Sequence, residues 1–159
     1  MSTGIKKLQE EYRFLRKKGI LATIGGTAAP VKRDFLHWFG CVVGPKNTPY
    51  ADGTYYFEMK FTNDYPYKGP IDVRMKTPIY HPNISNSNGH ICVQYFSSWQ
   101  NTYDVAGIVN TIFDLLDNPN PASSYNSLDL NKAREFNQTY ASADQTFDWS
   151  SSWDKGWNM

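Results

Sequence analysis

The stretch TYYFEMKF, residues 54–61, decides the fold, because its apolar side chains recur at every second position from Phe57 onward. A period of two is typical of a β-strand with one buried face, so Phe57, Met59 and Phe61 are expected on the same side. Turn-like segments flank each such run, among them AAPVKRD, residues 28–34. Four β-rich runs predict an antiparallel meander: LATIGG (21–26), FLHWFGCVVG (35–44), TYYFEMKF (54–61) and IDVRMKT (71–77).

Helical spacing marks the chain on both sides of these runs. The N-terminal part predicts an amphipathic helix that ends near Gly19 and has the apolar residues Ile5, Leu8, Tyr12 and Leu15. Residues 78–103 lack periodicity, which in a compact domain more often marks a functional segment than an idle one. A second helix is predicted between the capping Asp104 and Asn118-Pro119, with one apolar stripe: Val105, Ile108, Val109, Ile112, Leu115 and Leu116.

The end of the chain is polar with scattered aromatic residues. Trp149, Trp153 and Trp157 fall four residues apart and would share one face of a helix. Either they pack a short terminal helix or they form an exposed docking stripe, since tryptophan is enriched at interaction hot spots. With 159 residues and no internal repeats, we interpret residues 1–159 as a single α+β domain.

Composition narrows the function classes. Sixteen Lys plus Arg against fifteen Asp plus Glu give a net charge of +1, so no overall field attracts nucleic acid. No apolar run approaches the roughly 20 residues that span a bilayer, and the first residues do not resemble a signal peptide. Two cysteines do not make a disulfide framework. We therefore expect a protein of the cytosol or nucleus that binds neither nucleic acid nor membrane.

The segment HPNISNSNGHICVQYFSSWQ, residues 81–100, holds the more informative of the two thiols. Cys41 lies within an apolar strand and is expected to be an ordinary small hydrophobe. Cys92 ends an irregular polar segment, where a nucleophile is accessible. A zinc site of His81, His90 and Cys92 would lack a fourth ligand at familiar spacing, so we expect no metal.

Two nucleophilic chemistries remain for Cys92. Thiol proteases of the papain type contribute their histidine base after the cysteine, and no histidine follows Cys92 in this chain. In acyl transfer, the thiol carries a carboxyl group as a thioester and hands it to an amine or another thiol. An amide donor such as Asn83 would stabilise the oxyanion of that reaction, although a turn asparagine bonded to its own backbone has the same spacing.

Several separated motifs, in the same order, resemble those of the ubiquitin-conjugating enzymes. The resemblance covers roughly residues 4–126 and leaves 127–159 divergent. It is specific because four features occur in order: a histidine-proline-asparagine tripeptide, the cysteine motif, a tryptophan and a helix ending in PNP. The matching motifs are FLHW, KNTPYADGTYYFEMKF, DYPYKGP, IYHPNI, NGHIC, Trp99 and LLDNPNP. The resemblance implies an N-terminal helix, a four-stranded antiparallel meander, an active-site loop, a central helix and C-terminal helices.

The resemblance also implies roles for individual residues. Cys92 matches the thioester cysteine, and Asn83 matches an asparagine used for oxyanion stabilisation or for shaping the active-site loop. His81 matches the histidine of the same tripeptide and is expected to hold that loop. In the family, the activating enzyme docks on the first helix, and the ligase docks on that helix and on nearby loops. The corresponding positions here are Lys6, Lys7, Tyr67, Trp99 and Asn101.

The resemblance implies a division of labour as well. The carboxyl group of ubiquitin arrives already activated by a separate activating enzyme, so no cofactor is expected. A ubiquitin ligase of the RING or HECT type then assists or accepts the transfer. Two other functions stay open: conjugation of a related modifier such as SUMO or NEDD8, and a noncatalytic scaffold of the same fold.

The chain departs from the family pattern around the cysteine, and three of these departures bear on the transfer step. Gln100-Asn101-Thr102 replaces the Ser-Pro-Ala with which many members grip RING-type ligases. Ser123 and Gln94 stand where lysine-directed members place aspartates that orient and deprotonate the incoming amine. Because that amine is mostly protonated near neutral pH, losing both carboxylates is expected to slow attack by free lysine.

Overall fold

Four antiparallel strands form one sheet in which each strand pairs with the next one along the chain, so the chain makes the predicted meander. The computed structural model describes residues 3–18, 25–120, 126 and 129–141. The strands are β1 Gly26–Val31, β2 Asp34–Val43, β3 Thr54–Lys60 and β4 Asp72–Met75. The helices are α1 Thr3–Lys18, α2 Gln94–Ser97, α3 Val105–Asp117 and α4 Leu130–Tyr140. This α+β arrangement confirms the predicted fold class.

The first strand lies later in the chain than predicted. The sequence placed it at residues 21–26 and a turn at 28–34, whereas β1 covers Gly26–Val31 and only Lys32 and Arg33 form the turn. The error came from Pro30, which pairs with Trp38 inside the strand. Proline cannot donate to a sheet ladder, but β1 is an edge strand and tolerates it. Residues 21–24 of the predicted strand lie outside the described residues.

The alternation in β3 places the core as expected. Phe57, Met59 and Phe61 are all buried on one side of the sheet. The stripe of α3 is also buried in full, and α1 contributes Leu8 and Leu15. Side chains at apolar positions of strand and helices thus meet in one core, which holds α3 against the sheet.

The central helix begins and ends where the sequence predicted. The carboxylate of Asp104 accepts a hydrogen bond from the Gly107 backbone N–H (2.8 Å) and so caps the N-terminal end of the helix. At the C-terminal end of the helix, Asn118 is the C-cap residue, and Pro119 follows it directly. The segment that lacked periodicity is largely irregular, but it contains the short helix α2, which the sequence did not predict. Gly19 and the three C-terminal tryptophans lie outside the described residues.

A buried carboxylate on α1 joins three parts of the fold. Glu11 accepts hydrogen bonds from the Tyr65 hydroxyl (2.7 Å) and from the backbone N–H of Val105 (2.8 Å). Val105 is the first residue of α3, where backbone N–H groups have no partner within the helix and negative charge is favourable. Glu11 therefore fixes α1, the loop at Tyr65 and the start of α3 relative to one another.

Replacing Glu11 is expected to destabilise the fold. Glu11→Ala should lower the free energy of unfolding by about 2–4 kcal/mol, because the Val105 N–H and the Tyr65 hydroxyl lose their acceptor in the core. Glu11→Gln keeps an oxygen for Val105 and should cost about 1 kcal/mol or less. Urea unfolding of both variants beside the parent measures these differences. Equal losses in the two variants would contradict the assignment.

The same carboxyl predicts a pH dependence. Burial raises the pKa of Glu11 above its usual 4.5, against the opposing effect of its hydrogen bonds. The folded chain therefore holds this proton to higher pH than the unfolded chain, and the stability that Glu11 contributes falls as the pH rises above about 4.5. The difference in stability between the parent and Glu11→Gln should follow that decline.

Candidate active site

The Cys92 side chain is exposed at the surface while its backbone is held. Its N–H donates a hydrogen bond to the backbone oxygen of Asn83 (2.9 Å). This bond fixes the position of Cys92 relative to the turn formed by the tripeptide, residues 81–83. The preceding Ile91 is buried and pairs with Ile84 across the same turn. A buried neighbour and a backbone hydrogen bond thus present one accessible sulfur on a fixed support.

The Asn83 side chain is fully buried and bound to the chain after α3. Its Nδ2 donates to the backbone oxygen of Asn120 (2.6 Å), and its Oδ1 accepts from the Asn120 N–H (2.8 Å). The two bonds hold the carboxamide against the backbone of one residue, Asn120. The carboxamide is thus bonded to a residue 37 positions away, a partner that the spacing did not indicate.

His81 is buried beneath this turn and is electrically neutral. Its Nε2 donates to the backbone oxygen of Leu115 in α3 (2.8 Å), and its Nδ1 accepts from the Asn83 N–H (3.0 Å). A carbonyl can only accept and an amide N–H can only donate, so the proton is on Nε2. Burial lowers the pKa of His81 to about 4. Both ring nitrogens are engaged, so His81 offers none to a metal ion.

Acid should weaken the fold through His81. Its pKa of about 4 when folded lies below the ordinary 6.5, so the unfolded chain binds the proton first as the pH falls. The stability that this residue contributes is present above about pH 6.5 and should decline by about 3 kcal/mol on going to about pH 4. His81→Gln should lack this decline when urea unfolding is measured at both pH values. A parallel decline in the variant would contradict the prediction.

Asn126 is a site residue that the sequence analysis missed. Its Nδ2 donates to the backbone oxygens of His81 and Ile84 (2.9 Å each), and its N–H donates to that of Pro82 (3.3 Å). These three oxygens belong to the turn that carries Asn83. Nothing in the local sequence indicates contacts 42 and 45 residues away. The chain after α3 is therefore joined to the turn at two points, Asn120 and Asn126.

A groove of about 410 Å³ runs between the Cys92 segment and α3, and we call it the α3 groove. Polar side chains dominate its edges, and the Oδ1 of Asp114 accepts a hydrogen bond from the Asn118 side chain (3.1 Å). Asp114 could not be recognised from the sequence, because it is on the polar face of a helix. The side chains that matter for the lining are Cys92, Gln94, Ser97, Asp114, Asn118 and Asn120. Gln94 is thus close to the thiol, whereas Ser123 lies outside the described residues.

Trp99 holds the loop that contains Tyr67. Its Nε1 donates to the backbone oxygen of Pro66 (2.8 Å), and its ring lies against Gly69 so closely that a Cβ there would collide with it. Tyr67 itself is 73% exposed. Tyr95 and Tyr103 extend the cluster by stacking on each other (centroids 4.2 Å apart), and each meets the Trp99 ring edge to face.

The other predicted docking residues are at the surface. Lys6 and Lys7 are exposed on α1, and Asn101 is exposed in the turn before α3. The start of α1 packs on the loop before Tyr67, since a Cβ on Gly4 would touch the Asn63 backbone. Glu11 joins the same helix to Tyr65. The start of α1 and the loop before Tyr67 are therefore in contact.

Two other features are missing from the described part of the chain. No cluster of three or more His, Cys, Asp or Glu side chains there is arranged to hold a metal ion. None of its helices combines the length and apolar character needed to cross a membrane.

Comparison with known proteins agrees with the fold and the site. The profile of the family described as ubiquitin-conjugating enzyme matches residues 7–147. Ubiquitin-conjugating enzyme E2 1 of Caenorhabditis elegans is 37% identical over 136 residues, covering 85% of this chain and 68% of that protein. Ubiquitin-conjugating enzyme E2 3 of Arabidopsis thaliana is 36% identical over 144 residues, covering 87% and 93%.

A solved structure shows the same fold. The E2 domain of a Toxoplasma gondii ubiquitin conjugating enzyme superimposes with a TM-score of 0.72 at 27% identity, covering 83% of this chain and 99% of that one. The α+β meander, the presented thiol and these relatives define an enzyme of the E2 class, a transferase. The chain belongs to the ubiquitin-conjugating enzyme family.

Proposed function

We propose that this enzyme accepts ubiquitin from an activating enzyme as a thioester on Cys92 and transfers it to a substrate lysine or to a ligase cysteine. The observation that carries the proposal is the exposed Cys92 sulfur, which lines a groove of about 410 Å³ and stands on a backbone bonded to Asn83. A cytosolic or nuclear location would keep this sulfur reduced.

The first step is an exchange between two thioesters. The Cys92 sulfur attacks the carbonyl carbon of ubiquitin bound to the activating enzyme, and a new carbon–sulfur bond forms as the old one breaks. Cys92 gives up its proton, and the departing thiolate of the activating enzyme takes one up. The α3 groove supplies polar side chains for the amide groups of the ubiquitin tail, including those of Ser97, Asn118 and Asn120.

In the second step, an amine or a ligase thiol attacks the same carbon and gives up a proton as the new bond forms. The Cys92 carbon–sulfur bond breaks, and the departing Cys92 thiolate takes a proton up. The two hydrogen bonds that Asn83 makes to Asn120 support a role in shaping the loop around the reacting carbon. The neutral His81 supports a role in holding that loop, because it has no spare nitrogen with which to carry a proton.

Partner docking belongs to the same proposal. Exposure of Lys6 and Lys7 supports docking of the activating enzyme and a ligase on α1, and exposure of Tyr67 and Asn101 supports ligase contact. Trp99 contributes by fixing the Tyr67 loop.

A charging assay tests the proposal. The protein is mixed with activating enzyme, ATP and ubiquitin, and a product that thiol reductant removes is expected on a nonreducing gel. The same assay with SUMO or NEDD8 and their activating enzymes is the matched comparison. An adduct with SUMO or NEDD8 but not with ubiquitin would identify that protein as the modifier that the enzyme carries. No adduct with any of the three would favour a noncatalytic scaffold.

Discharge of the purified thioester tests the choice of nucleophile. Free cysteine is expected to discharge it at least about tenfold faster than free lysine near neutral pH, because Gln94 and Ser123 offer the lysine amine no carboxylate base. Gln94→Asp should narrow that ratio. Rapid discharge of the parent by lysine without a ligase would contradict the prediction.

A further inference from the structure

A second groove, of about 240 Å³, opens on the side of the Cys92 segment that faces β4, and we call it the β4 groove. The two grooves share Cys92, Val93 and Ser97, so the segment that bears the thiol separates them. Unlike the α3 groove, the β4 groove is lined mainly by aliphatic and aromatic side chains. Its apolar lining comprises Ile71, Val73, Ile91, Val93 and Phe96.

Ile71 forms an exposed apolar wall of this groove. Its side chain is 66% exposed, although its backbone N–H is fixed by a hydrogen bond to the Lys60 oxygen (2.8 Å). Val73 and Ile91 are buried and supply apolar surface that cannot move aside. A single exposed isoleucine is unremarkable on a protein surface, but here it continues a rigid apolar cleft that ends at a reactive sulfur.

Among the described residues, Asp72 is the one carboxylate that lines the groove, and it is paired with a neighbouring base. The Asp72 carboxylate is held by two nitrogen atoms of the Arg74 guanidinium, at 2.9 and 3.2 Å. An acid and a base that neutralise each other offer no attraction to a charged ligand. The cleft therefore favours an uncharged, aliphatic side chain.

Transfer brings two polypeptides to one sulfur. The tail of the modifier is extended, and each of its amide groups needs a partner, which the polar α3 groove provides. The apolar β4 groove provides few such partners, and it reaches the sulfur from the other side. It is continuous with the site at which the acceptor must arrive.

We propose that the β4 groove binds an aliphatic side chain of the acceptor protein, next to the residue that receives the modifier. This inference rests on the proposed function and names a feature of its substrates. Contact with Ile71 and Phe96 would give the enzyme a preference among acceptors before any ligase takes part. An acceptor with polar neighbours would lose that contact.

Two short synthetic peptides test the preference. They differ only in whether leucine or serine flanks the nucleophile, and each is made with lysine and with cysteine as that nucleophile, so that the thioester is discharged in at least one form. The full chain, charged on Cys92, is expected to react about fivefold to tenfold faster with the leucine peptide. The serine peptide is the internal reference for every variant.

Variants locate the preference in the groove. Ile71→Asp is expected to bring the ratio of the two rates to about one, and Ile71→Val to retain most of it. Val43→Asp is the matched control, because Val43 is 49% exposed on β2 and does not line either groove. The control should keep the ratio of the parent.

Each contrary outcome has its own meaning. Equal rates for the two peptides with the parent would overturn the inference and leave the proposed function standing. A ratio unchanged in Ile71→Asp, together with slower charging, would assign the groove to the modifier and overturn the inference as well. If no thioester forms on Cys92, the proposed function fails and the inference fails with it.

Discussion

Cys92→Ala is expected to take up no ubiquitin, and transfer should fall to the uncatalysed background. Cys92 is the exposed thiol of the described chain, and Cys41 is half-buried in β2. Burial also raises the pKa of Cys41, which leaves even less thiolate to react near neutral pH. Cys41 should therefore not replace Cys92.

Two further variants make this result specific. Cys92→Ser should give, if it is charged at all, an oxyester that thiol reductant leaves intact, because oxygen replaces the sulfur in the same bond. Cys41→Ser should charge at the rate of the parent. Both are read on gels run with and without reductant. A reductant-sensitive adduct on Cys92→Ala would identify Cys41 as the nucleophile and refute the assignment of Cys92.

Asn83→Ala has the second largest expected effect. Transfer should fall about 100-fold or more, since removing a donor that stabilises an oxyanion commonly costs that much and misplacing the loop costs a similar factor. The free energy of unfolding should fall by about 2 kcal/mol, because the N–H and C=O of Asn120 both lose their partner. For the stability measurement alone, Asn118→Ala is the matched control, because it removes a bond to the exposed Asp114 and should change the free energy of unfolding little.

Asn126 separates the two explanations for that loss. Asn126→Ala removes bonds to the oxygens of His81 and Ile84 without touching the Asn83 side chain. If Asn83 acts by shaping the loop, discharge of the thioester by free cysteine should slow in Asn126→Ala as well. If Asn83 acts only as an oxyanion donor, Asn126→Ala should discharge at the rate of the parent. Urea unfolding of both variants shows how much of each loss is lost stability.

The strands and helices could be predicted where the local periodicity of apolar residues alone determined which face is buried. The alternation in β3 and the stripe of α3 reflect which side chains leave water, so the periodicity alone identified Phe57, Met59 and the buried face of the helix. The turn predicted at 28–34 was wrong in its first half, because propensity disfavours a strand that contains proline and does not show whether a strand lies at an edge. Pro30 is acceptable only because β1 has a single neighbour.

Site contacts were less predictable because they join distant parts of the chain. The segment around Cys92 was identifiable from its motifs, and the structure confirms that the thiol is exposed. The clamp between Asn83 and Asn120 spans 37 residues, and the bond from Glu11 to Val105 spans 94. Such contacts depend on how elements pack, which no local spacing encodes. Asn126 and Glu11 could therefore be recognised only from the fold.

The unequal surroundings of the two thiols have a practical consequence. An alkylating reagent used near neutral pH meets Cys92 in the open, whereas Cys41 is both shielded and held in its protonated form. A fluorophore or crosslinker should therefore attach at one position of the unmodified chain. That selectivity would allow the approach of partners to be followed from the reactive sulfur itself, without first engineering away the second cysteine.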